Sequence, residues 1–86
     1  MPRVPPTPRI VARRRRIAAR IRAARIQARL TQERLALDVG MDRSGYQRIE
    51  HGTNSPQLDT LLAIADALNI PLAELVRDDE GPGPGP

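Results

Sequence analysis

Residues 32–51, QERLALDVGMDRSGYQRIEH, constrain this chain more tightly than any other stretch. Leu35, Ala36 and Val39 line one face of a short helical segment that stops at Gly40. Tyr46 and Ile49 line a second segment that opens after Asp42 and closes at Gly52. Two helices joined by so short a turn cross closely, so residue size is dictated at fixed offsets. Ala36 is small where the second helix must cross, and Gly40 supplies the positive φ the turn requires. Leu35, Val39, Met41, Tyr46 and Ile49 are apolar where a core has to close beneath the pair. A chain meeting all these demands at once is committed to that local fold.

The flanking sequence is helical too. From Ile10 to Ala28 there is no Gly or Pro, and Ile10, Ile17, Ile21, Ala24 and Ala28 recur at helical spacing. Thr7 and Pro8 can start this helix as N-cap and first helical residue. The arginines crowding its first turns oppose the helix dipole and repel one another, so the pattern predicts a secure helix only from about Arg16. Thr31 is a natural N-cap for the next helix, after a break at Arg29-Leu30-Thr31. Leu58, Leu61, Leu62, Ala65 and Leu68 mark a fourth helix that Asn69 can end, and Pro71 suits the first position of a fifth. No strand pattern or internal repeat stands out. The expectation is an all-α, five-helix domain over residues 16–77. Residues 1–15 form a Pro/Arg-rich arm, partly disordered or extending the first helix, and residues 78–86 an acidic Gly/Pro tail without order.

Charge is divided along the chain. All 14 basic residues are arginine against 10 carboxylates, for a net +4. Residues 1–30 hold ten of those arginines and no acid, whereas residues 31–86 hold four arginines and all ten acids, so +10 is followed by −6. Such a split points to a polyanionic partner for the first third. Without cysteine there is no disulfide, thiolate metal site or thiol nucleophile, and a single histidine, His51, cannot build a multi-histidine site. Tyr46 is the sole aromatic, so the base-stacking platforms of single-strand binders are missing. The acidic run of residues 78–80 has no fixed geometry for a metal. No nucleophile–base set or phosphate-cradling glycine loop suggests an enzyme, and no cofactor is expected. No apolar run approaches the roughly 20 residues of a membrane span. The expected setting is a reducing cytoplasm, associated with the nucleoid, and the all-arginine usage with Ala, Pro and Gly richness suits a GC-rich bacterial or phage genome.

From Ile17 to Val76 the sequence resembles the Cro/phage-repressor helix-turn-helix family of XRE regulators. Beyond residues 32–51, the resemblance rests on Arg25-Ile26-Gln27, Thr31-Gln32, Ile49-Glu50 with Gly52, Asn54-Ser55-Pro56, and Leu61-Leu62, Ile64-Ala65 and Ala67-Leu68 followed by Ile70-Pro71-Leu72. The resemblance implies that the helix starting near Asp42 lies in the DNA major groove, with Arg43, Ser44, Gln47 and Arg48 on its base-facing side. Arginine suits guanine O6/N7 and glutamine suits adenine N6/N7. Gln32, Asn54 and Ser55 are the implied phosphate contacts. Arg25 and Glu50 look like the family's partly buried ion pair, and Tyr46 like a core residue. Two positions depart from the pattern. Arg29 stands where the family often has glycine, so either Arg29 takes a left-handed conformation or the helix exits differently. Gly45 lies inside the recognition helix, at a propensity cost of about 1 kcal/mol, and it either permits close approach to DNA or is merely tolerated.

The implied function is a sequence-specific double-stranded DNA-binding transcriptional regulator, with repression the favoured mode though the residues themselves do not separate it from activation, acting as a homodimer on a palindromic operator. Ile64, Leu72, Leu75 and Val76 are candidates for the dimer patch. Arg13, Arg14, Arg15 and Arg16 are expected to contact phosphate or minor groove. The alternative is an antitoxin or bridging-type module that holds a protein partner such as a toxin or a polymerase, with or without autoregulatory DNA binding. RNA binding through the arginine-rich helix alone is a third possibility.

Overall fold

The computed structural model describes residues 4–78, and the expectation for the tail beyond Asp78 lies outside the described residues. Five helices follow one another: α1 (Pro8–Gln27), α2 (Gln32–Asp38), α3 (Arg43–Glu50), α4 (Leu58–Leu68) and α5 (Leu72–Val76). There is no strand among the described residues.

Short-range chemistry sets the ends of these helices. The Thr7 hydroxyl oxygen accepts from the Ile10 amide at 3.1 Å, and that of Thr31 accepts from Arg34 at 3.0 Å. The first four helices end alike, in a paired hydrogen bond around a left-handed residue. For α1 these are Leu30 N–H to Arg25 O at 3.1 Å and Arg29 N–H to Ile26 O at 2.9 Å. The equivalent left-handed positions are Gly40, Gly52 and Asn69. Arg29 has φ 61°, so the chain keeps the family's turn and bears the strain of a Cβ there. Pro71 sits one residue earlier than its spacing suggests, as the N-cap of α5.

Helix α1 starts at Pro8 with Thr7 as its N-cap, the start those two residues offer, so residues 8–15 extend the first helix in spite of the arginine repulsion. Acceptors from distant parts of the chain offset that repulsion. Arg14 Nε donates to the Gly52 carbonyl at 3.0 Å, and Arg9 and Arg13 reach the Asp78 carboxylate at 3.7 and 3.5 Å. Further along, Arg20 donates to the Arg77 carbonyl. The basic segment is therefore a docked helix, seated against the C-terminal end of α3 and the chain beyond α5.

Tyr46, Ile21, Leu35, Ile64 and Leu75 are fully buried, and Ala18, Ala36 and Ala65 are the small residues beneath the helix crossings. Burial of Ile64 and Leu75 inside the monomer removes them from the candidate dimer patch, because each has no surface left to offer a second copy. Leu72 and Val76 pack half-buried against the same core. The large apolar side chains that remain exposed on the helices are Ile10, Ile26, Leu37, Leu58 and Leu62. No helix among the described residues is long and apolar enough to cross a membrane.

Candidate nucleic-acid interface

Helix α3 has two faces. Tyr46 and Ile49 point into the core, while Arg43, Ser44 and Arg48 are exposed and Gln47 is half-buried at the edge. The inward anchors hold the outward side chains at a fixed angle to the domain, the property a groove-reading helix needs.

The start of α3 is shaped by Asp42. Its backbone is extended, as at an N-cap, yet its carboxylate accepts from the Ser44 hydroxyl at 2.8 Å instead of capping an amide. That hydroxyl, more than any other influence, holds the Asp42 carboxyl below its ordinary value. Gly45 is buried directly beneath, where an added Cβ would lie 2.8 Å from Asp42 Oδ1. The missing side chain thus makes room for the Asp42 carboxylate, a local reason for a glycine that costs helix propensity.

At the other end of α3, Glu50 gathers donors from three helices. Arg25 of α1 binds it through Nε at 2.6 Å and Nη2 at 3.2 Å, and gives Nη1 to the Leu30 carbonyl at 2.8 Å. Tyr46 donates its hydroxyl to the same carboxylate. Gln32 of α2 donates from Nε2 at 3.0 Å. Burial is the strongest single influence on Glu50 and favours its neutral form, but the hydrogen bonds from Arg25, Tyr46 and Gln32 together outweigh it, so the carboxyl titrates below its ordinary value. Burial, followed by the bond to Glu50, pushes the Tyr46 phenol up. The bond to Glu50 likewise raises Arg25. No buried side-chain polar atom among the described residues lacks a partner.

The residues expected to contact phosphate are dispersed around this helix. The Gln32 amide is engaged at both ends, donating to Glu50 and accepting from Gln47 Nε2 at 3.0 Å. Asn54 and Ser55 are exposed in the loop ahead of α4, whose N-cap residue Gln57 makes no side-chain cap. Together with Arg13, Arg14 and Arg16 of α1 they line an open groove of about 730 Å³. Arg13 and Arg14 have the internal acceptors described above, while Arg15 is exposed beside Gly52. Sequence reasoning misses the Tyr46–Glu50, Gln32–Glu50, Gln47–Gln32 and Arg14–Gly52 bonds. The Tyr46–Glu50 bond is signalled by its i,i+4 spacing, whereas nothing local signals the other three, least of all the Arg14–Gly52 bond across 38 residues.

A helix-turn-helix family model matches residues 21–75. The chain is 38% identical over 63 residues to the cryptic phage CTXphi transcriptional repressor RstR of Vibrio cholerae, covering 73% of this chain and 57% of that protein. It is 36% identical over 63 residues to the immunity repressor protein of Bacillus phage phi105, covering 73% of this chain and 44% of that one. It therefore spans about half the length of these relatives. The crystal structure of the restriction-modification controller protein C.AhdI from Aeromonas hydrophila matches at 36% identity with a TM-score of 0.72, over 74% of this chain and 97% of that one. With a family match over residues 21–75, from the last turns of α1 into α5, the chain belongs to the helix-turn-helix family.

Proposed function

We propose that the protein is a sequence-specific regulator of transcription that binds double-stranded DNA as a homodimer and represses. The observation that carries this reading is the division of α3 into a buried face and an outward row of Arg43, Ser44, Gln47 and Arg48. Arg43 supplies the forked donors that match guanine. Ser44, whose proton is turned to Asp42, offers lone pairs to a base donor. Arg48, near the C-terminal end of the helix, reaches a base edge or the adjoining backbone. Asn54, Ser55 and the arginines at residues 13–16 hold phosphates on either side, joined by the second amide N–H of Gln32. Repression is supported by the names of the two phage relatives. In a symmetric dimer the two α3 helices lie roughly 34 Å apart, one turn of DNA, which calls for a palindromic operator.

Selection from a randomised duplex library tests this, with the full chain assayed at two salt concentrations. Enrichment of a palindrome, lost on Arg43→Ala, supports the reading. Binding without any enriched sequence, unchanged by Arg43→Ala, refutes it and turns the search to a protein partner such as a toxin or polymerase.

A further inference from the structure

The amide of Gln47 sits at the end of a chain of hydrogen bonds whose direction is dictated from the protein interior. Glu50 is an ionised carboxylate and can only accept. Gln32 must therefore turn its amide nitrogen to Glu50, at 3.0 Å, and its carbonyl oxygen away. That oxygen can only accept, so Gln47 must turn its own nitrogen to it, also at 3.0 Å. One Gln47 N–H is consumed in this contact. The other N–H and the carbonyl oxygen remain for whatever lies outside. Arg25 and Tyr46 lock the origin of the chain by occupying the rest of the Glu50 carboxylate.

We infer that Gln32 is a positioning residue that sets the polarity of the Gln47 amide, and thereby makes Gln47 a reader of adenine in preference to guanine. This rests on the reading of α3 as the major-groove helix. One donor beside one acceptor is the complement of adenine, whose N7 accepts and whose N6 amino group donates. Guanine presents two acceptors, N7 and O6, and needs two donors. A Gln47 amide turned the other way would show guanine its whole amino group, but its oxygen would then face the Gln32 oxygen with no proton between them. The Gln32 link excludes that orientation. Without it, both orientations are open and discrimination between the purines collapses.

Base preference, measured on the full chain, tests the inference. Gln47→Ala identifies the operator position that Gln47 reads, as the position whose preference flattens. At that position the wild type prefers adenine to guanine. In Gln32→Met, which keeps the length of the side chain but neither hydrogen bond, that preference falls by roughly fivefold or more. Positions altered by Arg43→Ala stay as they were. Gln32→Ala gives the same result where Met packs badly, and a thermal melt of each variant confirms that it is folded. In the free protein, the Gln47 side-chain amide protons exchange with solvent more slowly than those of exposed Gln27 and Gln57, and the difference disappears in Gln32→Met. Adenine preference intact in both Gln32 variants, guanine preferred by the wild type, or Gln47 exchange as fast as that of Gln27 overturns the inference while leaving α3 as the reading helix. Failure of the functional reading looks different: Arg43→Ala then changes no position either.

Discussion

Gly52 provides the sharpest test of how the basic helix is held. It has φ 75°, as does Gly40, so alanine at either site bears the same left-handed strain of roughly 1–2 kcal/mol. The surroundings of the two differ. A Cβ on Gly40 would have no atom within 4 Å. On Gly52 it would lie 3.0 Å from Arg15 Cγ and 3.3 Å from Arg15 Cα. The Cα is helix backbone and cannot swing aside as a side chain does, so α1 must give by a few tenths of an ångström, and overpacking of this kind adds about 1–3 kcal/mol. Any gain from stiffening the unfolded chain is common to both variants and cancels in the comparison. Gly40→Ala should therefore lower stability by roughly 1–2 kcal/mol and Gly52→Ala by about 2–5 kcal/mol. In a domain of this size each kcal/mol moves the melting temperature by about 4–8 °C. Thermal melts followed by far-ultraviolet circular dichroism thus separate the variants by at least about 4 °C. Equal losses would refute the reasoning, because they would mean that nothing from Arg15 stands over Gly52. That is the behaviour expected of a loose arm ending near residue 15.

Further outcomes follow from the same geometry. Arg29→Gly removes left-handed strain from an exposed position and should stabilise by a net of about 0.5–1 kcal/mol after the looser unfolded chain is allowed for, seen as a rise in melting temperature. Arg25→Ala should cost about 3–5 kcal/mol in urea unfolding, since it strands the buried Glu50 charge; the same truncation in an already neutral Glu50→Gln background should cost markedly less. Glu50 titrates below its ordinary 4.5 when folded, so its contribution to stability is complete above about pH 4.5 and is lost as pH falls through the lower, folded value. Tyr46 is raised above its ordinary 10.0, so its contribution is complete below that pH and is lost as pH climbs through the folded value. Urea titrations across pH should show a plateau between these limits, and Tyr46→Phe should remove the alkaline arm and shrink the acid one, because the same hydroxyl helps hold Glu50 down.

Much of this fold could be read from single residues because its signals are local. Thr31 caps α2, Gly40 and Gly52 turn left-handed, Asn69 ends α4, and Tyr46 fills the core, each as its neighbours in sequence require. The Arg25–Glu50 pair also stands where the resemblance puts it. What could not be read depends on distant partners. Repulsion among the arginines of α1 is a local inference, and it is outweighed by the Gly52 carbonyl and the Asp78 carboxylate, whose arrival no spacing announces. Leucine periodicity marks Ile64 and Leu75 as apolar without saying whether they serve the monomer or a second copy, and the crossing of α1, α4 and α5 buries them. Gln32 stands at the start of α2, where the resemblance puts a phosphate contact, but nothing in its neighbours announces that the same amide also joins Glu50 and Gln47, because that depends on α2 meeting α3.

Glu50 shows why a small recognition domain keeps a charge in its interior. A carboxylate offers about four acceptor positions, and Glu50 fills them with Arg25 Nε, Arg25 Nη2, the Tyr46 hydroxyl and Gln32 Nε2. Apolar side chains of similar volume could hold these helices together about as well, since desolvation consumes most of what the ion pair returns. They would have no direction, however. A forked guanidinium meets a carboxylate in one plane, a phenol one turn earlier on the same helix fixes that plane relative to α3, and an amide from α2 is then forced into a single orientation. The angle of α3 against α1 and α2 is thereby fixed by hydrogen-bond geometry as well as by packing. Under the proposed reading of α3, that directional constraint is what holds Arg43, Ser44, Gln47 and Arg48 in register with base edges.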